Sequence, residues 1–253
     1  IALARELRQP FWRWHAEIAE FSFAYLEGRF ADCERAAAAG LALAGDQMAY
    51  AANIYWAAQR MLLGVFTGDP REGAAAYEAA VEMHPALAAI SPVAWMACEL
   101  GDYAKAQAIV ERVAAEDFAL VLDDGLYMVA LTFLSEACVR LDDRPRIARL
   151  YEILLPHAAH WTVWAEGICL GPVALQLGML ARALGRLDDA VRHFDTALSK
   201  TAVARAWPFL ARTQHEAAVT LRQRGAPGEV ALAYTLDVEA RTIATRLGVA
   251  PLR

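Results

Sequence analysis

Apolar positions recur along this chain at the three- and four-residue spacing of one helical face, in runs of about a dozen to twenty residues. Short polar breaks, most of them carrying glycine, separate the runs. The pattern predicts paired helices. The first helices of the pairs lie near 11–27, 48–66, 87–100, 125–141, 166–184 and 206–224, and the second near 30–44, 70–83, 103–115, 144–155, 187–200 and 228–247. Residues 1–9 read as the tail of a preceding helix, and the last helix is expected to end at Gly248 and Pro251. Two longer connections, 116–125 and 156–166, are expected to be loops, the second closing at Glu166.

One phrase recurs at the breaks. It stands as Leu26-Glu27-Gly28-Arg29-Phe30, Phe66-Thr67-Gly68-Asp69-Pro70, Leu100-Gly101-Asp102-Tyr103, Leu141-Asp142-Asp143-Arg144, Leu184-Gly185-Arg186-Leu187 and Arg224-Gly225-Ala226-Pro227. The markers at 28, 68, 101, 142, 185 and 225 are 33 to 43 residues apart. Glycine after a helix takes the left-handed conformation that closes the last carbonyls, and Asp142 can do so at modest cost. Pro70, Pro145 and Pro227 suit the first turn of the following helix. Five residues after each marker stands Cys33, Gly73, Ala106, Ile147, Ala190 or Val230, and nine after it Ala37, Tyr77, Val110, Tyr151, Phe194 or Tyr234. A mostly small residue followed one turn later by a mostly aromatic one is the packing pattern of a tetratricopeptide hairpin. The expected fold is therefore all-α, an α-α superhelix or tetratricopeptide-like solenoid of about six helical hairpins. They span 11–44, 48–83, 87–115, 125–155, 166–200 and 206–247 in a single unit covering 1–253.

Composition agrees with helices. Of 253 residues, 58% are hydrophobic and 21% charged, with 56 alanines and 31 leucines. Both residue types favour helix, and β-branched residues are sparse. A net charge of −6 argues against tracking a phosphate backbone, so no direct nucleic-acid contact is expected. No uncharged run is long enough to span a bilayer, so no membrane partner is expected. Cys33, Cys98, Cys138 and Cys169 lie far apart in apolar helical contexts, which reads as buried reduced thiols in a cytoplasmic protein. The chain begins at Ile1 without methionine and reads as part of a longer protein.

Candidate chemistry is sparse. His157 and His160 have helical spacing, but no further ligand lies near in sequence, so no metal site is expected. His15, His84, His193 and His215 are scattered along the chain. Asp123-Asp124 and Asp142-Asp143 precede predicted helices, where acids cap amide ends more readily than they share a proton. Ser22, Ser91, Ser135 and Ser199 lack a nucleophile elbow. No phosphate-binding Gly-x-x-x-x-Gly-Lys-Ser/Thr loop is found. Neither catalytic residues nor a cofactor is expected.

Seven tryptophans, at 12, 14, 56, 95, 161, 164 and 207, read chiefly as packing between hairpins. Counting back from the markers, the concave face of the array would carry Tyr55, Leu62, Trp95, Glu99, Glu136, Met179, Arg182, Arg212, His215 and Arg222. Aromatic anchors with a row of arginines suit an acidic peptide or carboxylate. The expected binding residues are Tyr55, Trp95, Glu99, Arg182, Arg212, His215 and Arg222.

From Glu6 to Leu252 the chain also resembles the C-terminal tetratricopeptide region of large bacterial signal-transduction ATPases. These join an ATPase module to an adenylate or guanylate cyclase domain or to a LuxR-type or antibiotic-regulator-type transcriptional regulator. The segments that carry the resemblance are Leu7-Arg8-Gln9-Pro10, Leu26-Glu27-Gly28-Arg29-Phe30, Ala115-Glu116-Asp117-Phe118, 150–158, Cys169-Leu170-Gly171-Pro172-Val173, 184–194 and 206–213. The resemblance implies a non-catalytic scaffold that binds a protein, peptide or small effector in its concave groove and controls an intramolecular ATPase module. The alternative is an oligomerisation module, giving a homodimer, or a free-standing adaptor.

Overall fold

The computed structural model describes residues 1–6, 9–44, 48–83, 86–164 and 167–249; His84, Glu166 and Pro251 lie outside them. A short helix α1 (Ala2–Glu6) leads into six packed helical pairs. They are α2 (Pro10–Glu27) with α3 (Phe30–Leu43), α4 (Ala49–Thr67) with α5 (Arg71–Met83), and α6 (Leu87–Glu99) with α7 (Tyr103–Val113). After the one-turn helix α8 (Ala119–Leu122) come α9 (Tyr127–Arg140) with α10 (Arg144–Leu154). A β-hairpin of β1 (Trp161–Trp164) and β2 (Ile168–Pro172) follows, then α11 (Val173–Ala183) with α12 (Leu187–Val203), and α13 (Trp207–Arg224) with α14 (Glu229–Leu247). The described chain is predominantly α-helical.

The turns follow from backbone sterics. Gly28, Gly68, Gly101, Gly185 and Gly225 have φ between 69° and 102°, and Asp142 takes the same left-handed region at φ 51°. Asp102 and Asp143 each accept a backbone N–H, from Lys105 and Arg146, at the start of the next helix. Within the pairs, the small positions set the distance between helices. A Cβ on Gly73 would lie 2.2 Å from the Met61 backbone nitrogen, so α5 meets α4 as closely as glycine allows. The aromatic positions then fill the space beside them: Tyr77, Tyr151 and Phe194 are all buried.

First helices face inward. In α9, α11 and α13 burial runs around most of the circumference, while α7, α10 and α12 bury a single stripe. α6, α9, α11 and α13 stack in succession along this inner layer. The array also curls far enough for its ends to meet. α2 packs on α13 and β2, Tyr25 and Phe66 both place their rings against Phe209 at 5.9 and 6.3 Å, and Leu247 of α14 covers Gly28. One continuous apolar core runs from Phe21 to Ala217.

Three expectations are corrected. The helix expected over 166–184 begins only at Val173: Ile168–Pro172 is a buried strand pairing antiparallel with Trp161–Trp164. A run of apolar residues too short to show a period fits either structure, and here the strand is selected by what surrounds it. Gly171, at φ 99°, lets the Phe209 ring close over the strand, and the Thr162 hydroxyl hydrogen-bonds that of Thr132 at 3.0 Å. Residues 116–118, expected as plain loop, form a helical turn with left-handed φ at Glu116, Asp117 and Phe118. Burial of Phe118 and an ion pair from Asp117 to Arg149 at 2.8 Å hold it.

The last hairpin is shifted in register. Val230 and Tyr234, expected inside, are 69% and 67% exposed. Ala226, Pro227 and Gly228 separate Gly225 from α14, where one or two residues stand in the other turns, and Ala233 and Asp237 are buried instead. The four cysteines are free and buried, and burial pushes the thiols of Cys33 and Cys138 up to about 12 and those of Cys98 and Cys169 to about 11. No described helix is long and apolar enough to cross a membrane.

Gly73→Ala should destabilise the protein by about 3 kcal/mol or more, because the added methyl meets backbone that cannot step aside. Gly101→Ala, whose Cβ meets open space, should cost only the left-handed strain of about 1–2 kcal/mol. Urea unfolding midpoints of the two variants check the order; equal or reversed losses contradict the close approach of α4 and α5.

Candidate functional site

The inner helices bring charged residues from different hairpins within reach of one another. Arg212 on α13 reaches across α11 to pair with Glu136 on α9 at 2.5 Å. Arg140 on α9 pairs with Glu99 on α6, and Arg182 on α11 pairs with Glu216 on α13. At the C-terminal end Arg222 pairs with Asp237 of α14, and His215 Nδ1 lies 3.2 Å from the same carboxylate. The arginines of this inner layer therefore form a series of ion pairs between different helices.

This changes the role read for them. Arg182, Arg212 and Arg222 are not an open row awaiting an acidic ligand, because each already holds a carboxylate of its own chain. Glu99 is likewise engaged by Arg140, and His215 by Asp237. The cause lies in the depth of the acids. Glu136 is only 4% exposed and Glu216 5%, and an ionised carboxylate at that depth requires a cation. Burial opposes ionisation of Glu136, but Arg212, Arg140 and a hydrogen bond from Gln176 outweigh it and hold the carboxyl below its usual range. Arg212 is held above its own usual value by Glu136, against the cost of burial. Burial lowers the pKa of His215, with Arg222 and Arg182 acting in the same direction, so its imidazole is neutral at pH 7.

Trp95 and Arg212 do converge. They line a cleft of about 40 Å³ together with Tyr25, Phe133, Phe209 and Glu136, at the point where the two ends of the array meet. Leu62, expected on the same face, is part of its wall, and Met179 places its sulfur 3.7 Å from the Arg212 guanidinium. The Trp95 ring packs against Phe133 at 5.1 Å, and its indole Nε1 is buried with no hydrogen-bond partner among the described residues. Gln176 Oε1, on the amide whose nitrogen binds Glu136, is in the same condition. Unpaired buried polar atoms are uncommon in native proteins. Tyr55 lies elsewhere, edge-on to Trp14 at 5.2 Å and lining a separate apolar cavity.

Tyr25, Phe133 and Phe209 were not read as site residues from the sequence. Their helical spacing marks them as core, and only the meeting of α2 with α13 brings Tyr25 beside Phe209. A larger cleft of about 220 Å³ opens between the second and third hairpins, but the Lys105–Glu78 pair lies across its lining. His157 and His160 sit at the end of α10 and before β1, with ring centroids 5.7 Å apart. Among the described residues no three His, Cys, Asp or Glu side chains are arranged to hold a metal ion.

No protein-family model, curated protein or solved structure matches this chain.

Arg212→Met should cost about 3–5 kcal/mol, since it strands Glu136 as a buried charge. The Arg212→Met, Glu136→Met double variant should recover most of that loss. Thermal unfolding of the two single variants and the double variant measures the coupling; strictly additive losses would show that the pair carries no buried-charge interaction.

Proposed function

We propose that this chain is a non-catalytic binding scaffold whose inner cleft takes one uncharged polar side chain of a peptide partner. We further propose that it serves as the sensor arm of a bacterial signal-transduction ATPase controlling transcription or cyclic-nucleotide synthesis. The observation that carries the first part is the cleft lined by Trp95, Phe133, Phe209 and the Glu136–Arg212 pair, Trp95 being a residue whose buried indole N–H has no hydrogen-bond partner among the described residues. Its size suits a single polar group, since a water needs roughly 10–15 Å³ of comparable space. Its charges are already balanced, so a neutral acceptor for Trp95 Nε1 fits better than a carboxylate that must displace Glu136 from Arg212. The second part rests on the resemblance of the segments from Leu7 to Thr213.

The mechanism follows from where the cleft lies. It is bounded by α2, α4, α6, α9, β2 and α13, so a ligand there touches both ends of the array at once. Binding would favour the curvature that keeps α2 against α13. The output can change only by the difference in affinity between that curvature and a more open one.

Selection of a random heptapeptide phage library on the purified chain tests the cleft. Selected peptides should bind the Trp95→Phe variant about tenfold more weakly or worse, the scale of one lost buried hydrogen bond. Equal binding to wild type and variant removes the cleft as the site. A lysate blot with antiserum against this chain tests the sensor-arm reading. A band several times larger than 27.6 kDa supports it, and a band near 27.6 kDa overturns it in favour of a free-standing adaptor.

A further inference from the structure

A second cavity lies on the other side of the aromatic wall that bounds the cleft. Phe133 faces the cleft and meets Trp164 of β1 edge-on at 5.5 Å; Trp164 in turn meets Tyr77 of α5 edge-on at 5.3 Å. Beyond Trp164 is a space of about 150 Å³. Five aliphatic side chains line it, Ile54, Leu126 and Ile168 among them, together with the rings of Tyr55, Tyr77 and Trp164. No side chain in this lining is charged. The Tyr77 hydroxyl donates to the Ala89 carbonyl at 2.9 Å and is thereby used within the wall, which leaves the ring face as what Tyr77 offers the cavity. Burial pushes the Tyr77 phenol well above its ordinary value, so it stays neutral.

The cavity exists because two kinds of element fail to interdigitate there. Helices α4, α5 and α6 supply one side, and the β-hairpin with the start of α9 supplies the other. A strand pair presents a flat surface where a helix would have inserted a ridge. The space is partly open to solvent, and a pocket of about 150 Å³ with aliphatic and aromatic walls has the size of a single aromatic ring. Edge-on rings at Trp164 and Tyr77 offer a ligand ring the stacking and edge contacts that aromatic pairs prefer.

We propose that this cavity is a binding site for a small uncharged apolar molecule of about one aromatic ring. The site is distinct from the peptide cleft and does not depend on it. Because its walls come from the second and third hairpins, α9 and the β-hairpin, an occupant would tie the β-hairpin to the N-terminal half of the array.

Toluene is the probe. In methyl-labelled protein, saturable shifts are expected at Ile54, Ile168 and Leu126, while the methyls of Leu62 and Val65 in the cleft stay in place. At about five times its Kd, toluene should raise Tm by about 2–4 °C. Ala89→Leu, which adds bulk at the cavity wall, should remove both responses. If that variant does not fold, the wild-type titration alone decides. Absence of saturable shifts up to the solubility of toluene overturns the proposal, as do shifts spread evenly over the core or a response that survives in a folded Ala89→Leu protein.

Discussion

A carboxylate that is almost wholly buried must be matched, and the inner face of this protein is arranged around that requirement at Glu136. Three helices converge on it: α9 carries it, α11 supplies the Gln176 amide, and α13 supplies the Arg212 guanidinium. Apolar packing alone would let neighbouring helices slide by a turn at little cost, because alanine and leucine stripes are self-similar. A charge that must find its partner removes that freedom. Buried pairs of this kind add little net stability over an apolar core; the Arg182–Glu216 pair repeats the arrangement between α11 and α13, and the less buried Arg140–Glu99 pair joins α9 to α6.

The same logic explains the last hairpin. The longer turn before α14 goes with Asp237 at the buried position where the other second helices carry an aromatic ring, valine or alanine. An acid there needs a cation and hydrogen bonds; Arg222 of α13 supplies the cation, and the neutral His215 imidazole lies 3.2 Å from the same carboxylate. The residues displaced from the interior form an exposed stripe of Val230, Tyr234 and Val238 on the outer face of α14. One longer turn thus goes with a buried charge and a surface apolar stripe together.

The β-hairpin is the other departure from a plain helical array. It stands where the stack passes from α10 to α11, with β2 packed on α2, α11 and α12. Through Trp164 it shares a wall between the polar cleft and the apolar cavity. Both spaces therefore owe their existence to tertiary closure: the cleft to the meeting of α2 with α13, the cavity to a strand pair lying against helices.

Local chemistry was readable in the linear sequence. Glycine at 28, 68, 101, 185 and 225, and aspartate at 142, mark left-handed turns because backbone sterics there depend on the residue itself and its neighbours. Small residues such as Gly73 mark the contact within a hairpin, since their partners lie in the adjoining helix. What required the folded chain was everything set by distant partners. The arginines at 182, 212 and 222 look like an open cationic row until Glu216, Glu136 and Asp237 are brought to them. The segment Ile168–Pro172 is too short for its period to separate strand from helix, and it was settled by Thr132, Phe209 and the pairing with β1. Helix turns and hairpin contacts are short-range and are written residue by residue, whereas burial of a charge and the choice of a strand are decided by which surfaces remain once every hairpin has been packed.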